Sequence, residues 1–278
     1  MPMQLTNKRL TTIDIQMAKD QTPLVCLTCY TAPVAKLLDM QTDILLVGDS
    51  LGMILYGMET TLPVTVEMMI AHGRAVVKSS KKALVVVDMP FSSYQTSKEQ
   101  AFENAASILA QTGCSAVKLE GGEEMAETVE FLVKRGIPVM GHIGVMPQHV
   151  HARGGYRFAG KEQEEANRMI EDAFALQEAG AFSLVMECVE QGVAKDITAK
   201  LSIPTIGIGS SRECDGQVLV TEDMLGLAPN EHKPRFIKQY ADVATIIENA
   251  AKQYADEVKS RRFPEEIHSF KRSGKVST

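Results

Sequence analysis

Residues 83–88 read Ala-Leu-Val-Val-Val-Asp, an apolar run closed by a single acid. The same form recurs in Ile-Leu-Leu-Val-Gly-Asp (44–49), Ser-Ala-Val-Lys-Leu-Glu (115–120), Ile-Pro-Val-Met-Gly-His (137–142) and Phe-Ser-Leu-Val-Met-Glu (182–187). Runs this short and this continuously apolar predict strands covered on both faces, as in a parallel sheet. The apolar cores are Ile44–Val47, Ala83–Val87, Ala116–Leu119, Ile137–Met140 and Phe182–Met186, with further runs at Leu24–Thr28 and Ile203–Ile208 and a weaker one at Gln217–Val220. Between them lie helical patterns at Ala32–Leu38, Val66–Ser80, Lys98–Gln111, Glu123–Arg135, Lys161–Ala179 and Val193–Leu201, and a last one at Asp242–Lys259. Seven or eight βα units in 278 residues fit an α/β fold of the (β/α)8 TIM-barrel type better than a doubly wound sheet.

No Pro/Gly/Ser-rich linker divides the chain. Residues 1–278 are therefore expected to form a single barrel domain, with a short N-terminal helical segment and a polar C-terminal tail from Arg261. The last residues of that tail are expected to be disordered. Two long loops, 48–65 and 144–160, have the length that usually goes with function or mobility.

Composition narrows the function. Hydrophobic residues make up 45% and charged residues 23%, which supplies a core and excludes disordered and collagen-like classes. Lys plus Arg is 29 against 35 for Asp plus Glu, a net charge of −6. A mildly acidic chain has no electrostatic footprint for nucleic acid or an anionic membrane. An anionic substrate needs cations placed locally, or a bound metal. Five scattered cysteines (Cys26, Cys29, Cys114, Cys188, Cys214) read as free thiols of a reducing cytoplasm. No apolar h-region stands at the N-terminus and no run approaches a membrane span, so a cytoplasmic, soluble protein is expected.

The informative feature is where titratable residues fall. Asp49, Asp88, Glu120, His142 and Glu187 each finish an apolar run, and in a barrel such positions converge at the C-terminal face, where barrel enzymes keep their active sites. Each acid could instead cap the helix that follows it; Glu120 and Glu187 are poor caps, and His142 is none. Three carboxylates without partnering histidines point to a hard cation such as Mg²⁺, or else to an exposed acidic rim. Lys118 shares a strand face with Glu120, two residues on. It supplies either the local positive charge for an anionic ligand or a structural ion pair with Glu120. Glu187 is flanked by Leu184, Val185, Met186, Cys188 and Val189; an apolar setting raises a carboxyl pKa and suits a general base.

Other motif-like stretches carry less. Gly155 to Lys161 mimics a Walker A spacing, but Glu162 stands where Ser or Thr would bind Mg²⁺. Gly207-Ile-Gly209 begins like a dinucleotide fingerprint, but Arg212 takes the third glycine's place. Cys26 and Cys29 lack a second pair and read as core residues. His149 and His151, beside Gly154 and Gly155, read as part of a mobile lid rather than as metal ligands.

An ordered set of motifs resembles the ketopantoate hydroxymethyltransferase family: Val47 to Met53, Thr61 to Thr65, Ala101 to Ala105, Val117 to Gly122, Gly141 to Gly144 with Pro147-Gln148, Glu187-Cys188, Ile206 to Gly209, Asp215 to Gln217 and His268 to Phe270. Together they span about Thr11 to Phe270. The resemblance implies a barrel of the phosphoenolpyruvate/pyruvate type, Mg²⁺ dependence and a homodecamer. It implies transfer of a hydroxymethyl group from 5,10-methylenetetrahydrofolate to 3-methyl-2-oxobutanoate through a Mg-stabilised enolate. The product, 2-dehydropantoate (ketopantoate), belongs to pantothenate (vitamin B5) and coenzyme A biosynthesis. Carried over by motif, the metal ligands fall on Asp49, Asp88 and Glu120, the ketoacid contacts on Asp49, Ser50, Asp88 and Lys118, and the catalytic base on Glu187. Departures from the family pattern at Cys29, Thr31, Met146, Ser210 and Ser211 leave the metal and base positions intact. A related metal-dependent lyase or aldolase, and a non-catalytic barrel binding Mg²⁺ and an organic acid, are the alternatives.

Overall fold

The structure, a computed structural model, describes residues 8–152, 154–155, 158–227 and 234–270. Eight parallel strands close in sequence order: β1 (Leu24–Thr28), β2 (Ile44–Val47), β3 (Leu84–Asp88), β4 (Ala116–Glu120), β5 (Val139–Gly144), β6 (Ser183–Glu187), β7 (Thr205–Ile208) and β8 (Gly216–Leu219). The ring is sealed where Leu24 to Leu27 pair with Gly216 to Leu219. α1 (Thr12–Gln16) precedes β1. Outside the strands run α2 (Ala32–Leu38), α3 (Leu51–Tyr56), α4 (Val66–Ser79), α5 (Lys98–Thr112), α6 (Ala126–Val133), α7 (Gln163–Glu178) and α8 (Gln191–Lys200). This is the (β/α)8 architecture that the apolar runs predict.

The pleat explains where the chemistry sits. Alternate residues of each strand face the barrel axis. Cys26, Ile44, Leu46, Leu84, Val86, Ala116, Met140, Val185, Ile206 and Val218 make one buried cluster there. Their strand neighbours Leu45, Val47, Val85, Val87, Val117, Leu119, Val139, Leu184 and Met186 make a second, against the helices. Counting up by two from the inner set reaches Asp88, Lys118, Glu120, His142 and Glu187, all at or near the C-terminal strand ends. Leu10 and Ile15 join the inner cluster from the N-terminal segment, and Lys19 ties that segment down with bonds of 2.9 Å to Asp215 Oδ2 and 2.6 Å to the Thr198 carbonyl.

Several element boundaries differ from expectation by up to four residues, and two departures border the site. β5 starts at Val139 rather than Ile137, since Pro138 has no N–H for the ladder, and continues to Gly144 opposite Glu187. The loop expected at 48–65 contains α3, ended by Gly57 at φ 65; six residues are too few for a helical period to show.

The chain falls into two compact units. Met1–Thr221 with Pro234–Ile237 holds the barrel. Glu222–Lys233 with Lys238–Thr278 holds most of a short turn, α9 (Thr221–Met224), and α10 (Val243–Lys259), whose N-cap Asp242 accepts from Thr245 N. The polar tail continues through a 3-10 turn at Glu266–His268; residues 271–278, where disorder is expected, lie outside the described residues. Among the described residues no helix is long and apolar enough to cross a membrane.

The β5–β6 junction bears on the site most directly. Gly144 has φ 98, and a Cβ on it would stand 2.2 Å from the Glu187 carbonyl oxygen. Gly144→Ala is therefore expected to destabilise the fold by about 2–4 kcal/mol, combining left-handed backbone strain with displacement of β6. Urea denaturation checks this; an unchanged midpoint would show that the junction yields freely.

Candidate active site

Asp49, Asp88, Lys118, Glu120 and His142 are buried, and the Glu187 side chain is 20% exposed at the mouth. None is the N-cap of the helix after its strand: those positions are Ser50, Ser97, Met125, Glu162 and Glu190. The capping alternative therefore fails for all of them.

Lys118 sits between groups from both neighbouring strands. Its Nζ is 3.2 Å from Asp88 Oδ1 and 3.2 Å from His142 Nδ1. The ion pair is thus with Asp88 on β3, and not the pair with Glu120 that is one of the two readings of the strand spacing, because parallel pairing sets Lys118 beside Asp88. The expectation of carboxylates without histidine partners is also corrected. His142 Nδ1 lies 3.6 Å from Glu120 Oε1 and Nε2 lies 3.4 Å from Glu187 Oε2, since β5 runs between the strands carrying these acids.

Gln148, on the 3-10 turn Pro147–His149, joins the acids from above. Its Nε2 donates to Asp49 Oδ2 at 2.8 Å and to the Met89 carbonyl at 3.0 Å, while its backbone N–H donates to Glu120 Oε2 at 3.1 Å. The Tyr94 hydroxyl donates to Gln148 Oε1 at 2.6 Å and accepts from Glu120 N at 3.1 Å. Asp49 N donates to Asp88 Oδ2 at 3.1 Å. Tyr30 Oη lies 2.8 Å from Ser50 Oγ. No sequence pattern points to Tyr94, and Tyr30 and Gln148 are marked only by their places in family motifs, because each reaches the site through a tertiary contact.

Burial raises every carboxyl here. Asp88 is pushed up to about 6, with Lys118 holding it partly down. Asp49 is raised, and Glu120 stands well above the usual range, for the same reason against the same counter-charge. Glu187 rises to about 7 by burial, again restrained by Lys118. Burial pulls Lys118 down, but Asp88, Glu120 and Asp49 more than reverse this and leave it firmly cationic. Burial and then Lys118 drive His142 well below its ordinary value, so it is neutral.

Four carboxyl groups thus share one lysine, and such a pocket calls for protons or an added cation. Its oxygen donors suit a hard ion, and buried Asp88 Oδ1 has no aligned hydrogen bond. Among the described residues no three His, Cys, Asp or Glu side chains are grouped so as to hold a metal ion by themselves; Mg²⁺ takes one or two carboxylates and fills its sphere with water and substrate. Beside β5 lies an open cavity of about 980 Å³, lined by Gly122, Gly144, Met146, Phe158, Lys161 and Arg168 among others. Cys26 and Cys29 are buried and joined in no disulfide, as expected of core residues. The Walker-like stretch includes Tyr156 and Arg157, which lie outside the described residues.

The family model described as ketopantoate hydroxymethyltransferase matches residues 9–266. The chain belongs to that family. It is 59% identical over 270 residues to the 3-methyl-2-oxobutanoate hydroxymethyltransferase of Paramagnetospirillum magneticum, covering 97% of this chain and 98% of that protein. With the protein of the same name from Sinorhizobium fredii it shares 56% over 270 residues, with the same coverage. It is accordingly an enzyme, a transferase of this family. Its fold is similar to that of the phosphoenolpyruvate phosphomutase of Streptomyces platensis, at a TM-score of 0.60 and 10% identity over 90% of this chain and 88% of that one.

The raised Glu187 carboxyl has a thermodynamic signature. Its folded pKa of about 7 exceeds the ordinary 4.5, so the native state binds this proton more tightly than the unfolded chain. Its contribution to stability therefore falls as pH rises through that window. Glu187→Gln, which cannot ionise, should match the wild type near pH 4 and gain on it up to pH 8. The gain is at most about 3 kcal/mol, and smaller because water reaches the carboxylate. Metal-free urea denaturation across this range checks it; a pH-independent difference would show that folding does not raise the Glu187 carboxyl.

Proposed function

We propose that this enzyme transfers a hydroxymethyl group from 5,10-methylenetetrahydrofolate to 3-methyl-2-oxobutanoate, giving ketopantoate and tetrahydrofolate for pantothenate and coenzyme A synthesis in the cytoplasm. One observation carries the reading beyond the relatives' names. A carboxyl titrating near 7, Glu187, shares a pocket with a buried lysine and three further acids suited to a hard cation.

Asp49, Asp88 and Glu120 would hold Mg²⁺, Glu120 directly or through water. When bound, the ion supplies Lewis-acid polarisation of the substrate's keto group. Lys118 and Ser50 receive the ketoacid's oxygens, with Ser50 steadied by Tyr30. Gln148 and Tyr94 keep the carboxylates apart and oriented. Glu187 takes the proton from C3, next to the keto group, and Lys118 helps to hold the enolate charge that develops. C3 then bonds to the one-carbon unit as the first of its two C–N bonds to the folate breaks, and water replaces the second, so that the C3 proton and a water proton end on the nitrogens of the departing tetrahydrofolate. The open cavity beside β5 supports the presence of a second, larger substrate. We further propose self-association, up to the decamer the family resemblance implies. Exposed Leu37 and Met40 in one unit, and exposed Ile246, Ile247 and Tyr254 in the other, support it.

Proton NMR of 3-methyl-2-oxobutanoate in D₂O tests substrate, metal and base together. The wild type should exchange the C3 proton only with Mg²⁺ present, and should release tetrahydrofolate from the folate only with ketoacid present. Glu187→Gln should lose exchange by about 10²–10⁴-fold while still binding Mg²⁺ and ketoacid. Wild-type exchange in that variant would move the base elsewhere.

Asp88→Asn removes a negative charge from the proposed ion site and should weaken Mg²⁺-dependent ketoacid binding at least about tenfold, the equivalent of 1.4 kcal/mol. Calorimetry with unchanged Mg²⁺-dependent affinity would remove Asp88 from the metal assignment.

A further inference from the structure

His142 is buried on β5, between the strand of Lys118 and the strand of Glu187, and the reaction above gives it no task. Its two ring nitrogens meet different groups. Nδ1 lies 3.2 Å from Lys118 Nζ and 3.6 Å from Glu120 Oε1. Nε2 has no aligned hydrogen bond and lies 3.4 Å from Glu187 Oε2. The backbone of Val145 is a further polar group that bears on the ring.

The tautomer follows from donor and acceptor chemistry. An ammonium donates and has no lone pair to accept with. A proton on Nδ1 would face the N–H groups of Lys118 at 3.2 Å, whereas a lone pair there completes a hydrogen bond. Glu120, at 3.6 Å, is beyond hydrogen-bond range and does not outweigh that contact. An imidazolium would set N–H against N–H as well. The single ring proton therefore sits on Nε2, the nitrogen that faces Glu187.

We infer that His142 is a positioning residue for the base: Lys118 holds it in the Nε2–H form, and that N–H directs the Glu187 carboxylate through Oε2 and leaves Oε1 for the substrate. Asp88, Lys118, His142 and Glu187 then stand in a row at 3.2, 3.2 and 3.4 Å, the last contact being unaligned as a hydrogen bond. The aim of the base thereby depends on the lysine that faces the substrate's charge. The inference rests on the reading of Glu187 as the base.

Two measurements test it, one of which needs no reaction. Nitrogen NMR of histidine-labelled protein, assigned by comparison with His142→Gln, distinguishes protonated from bare ring nitrogens by their widely separated shifts. Bare Nδ1 with protonated Nε2 is expected, both metal-free and with Mg²⁺; the opposite tautomer or an imidazolium overturns the inference. In the D₂O exchange assay, His142→Leu should slow C3 exchange by about 10–100-fold, the order expected for a misplaced catalytic group. Its ketoacid affinity should stay close to that of the wild type. His142→Gln, whose amide can accept from Lys118 and donate to Glu187, should recover most of the rate. Unchanged exchange in His142→Leu, or equal losses in both variants, overturns the positioning role. A wild type that binds ketoacid without exchanging its proton sinks instead the reading of Glu187, and the ring spectrum still decides the tautomer.

Discussion

A lysine ammonium buried inside a barrel must be neutralised within a few ångströms, and Lys118 is the charge around which the C-terminal end of this barrel is arranged. It touches Asp88 on one side and His142 on the other, and it lowers the pKa of each acid that burial raises. Without it three buried carboxyls, and Glu187 at the mouth, would face one another with no counter-charge. With it the pocket remains short of positive charge, which is the condition for admitting a cation and an anionic ligand together.

That arrangement opposes stability in the metal-free protein. Each carboxyl here is harder to ionise than in water, so the site is tolerated because the strands beneath it are tightly packed. The inner cluster from Cys26 to Val218 and the outer one against the helices are separate apolar layers on the two faces of one sheet, and each buried aliphatic side chain contributes about 1.5–3 kcal/mol. The acids, Lys118 and His142 stand at or near the C-terminal strand ends, while Ser183 and Thr205, buried at the opposite ends, are hydrogen-bonded to the Pro204 carbonyl and to Asp215. Gln148 and Tyr94 connect the acids by hydrogen bonds rather than by charge, which fixes their geometry without neutralising them.

The parts of the site that lie on strands were readable because a strand has a period of two. Lys118 and Glu120 had to share a face, and both prove buried within the barrel. Asp49, Asp88 and Glu187 each closed an apolar run, and the structure brings all three to one end. Spacing along one strand could not say that Lys118 pairs with Asp88 rather than Glu120, since that depends on the β3–β4 register. His142 stood in the same series, yet its place between two acids was invisible, since no local pattern records which side chains flank a strand after closure.

Sequence by itself determined the apolar runs, a count of seven or eight βα units, the barrel class and which titratable residues lie at its C-terminal end, because each follows from local periodicity and from the few ways alternating βα units can bury two apolar faces. Tertiary structure alone decided the partners: Asp88 for Lys118, Gln148 across Asp49 and Glu120, Tyr30 for Ser50, and the nitrogen of His142 that faces Glu187. The physical reason is one of range. Hydrophobic periodicity acts over neighbouring residues, whereas a hydrogen bond or ion pair is made or lost within a few tenths of an ångström, and only the closed barrel sets distances between residues as far apart in the chain as Asp49 and Gln148.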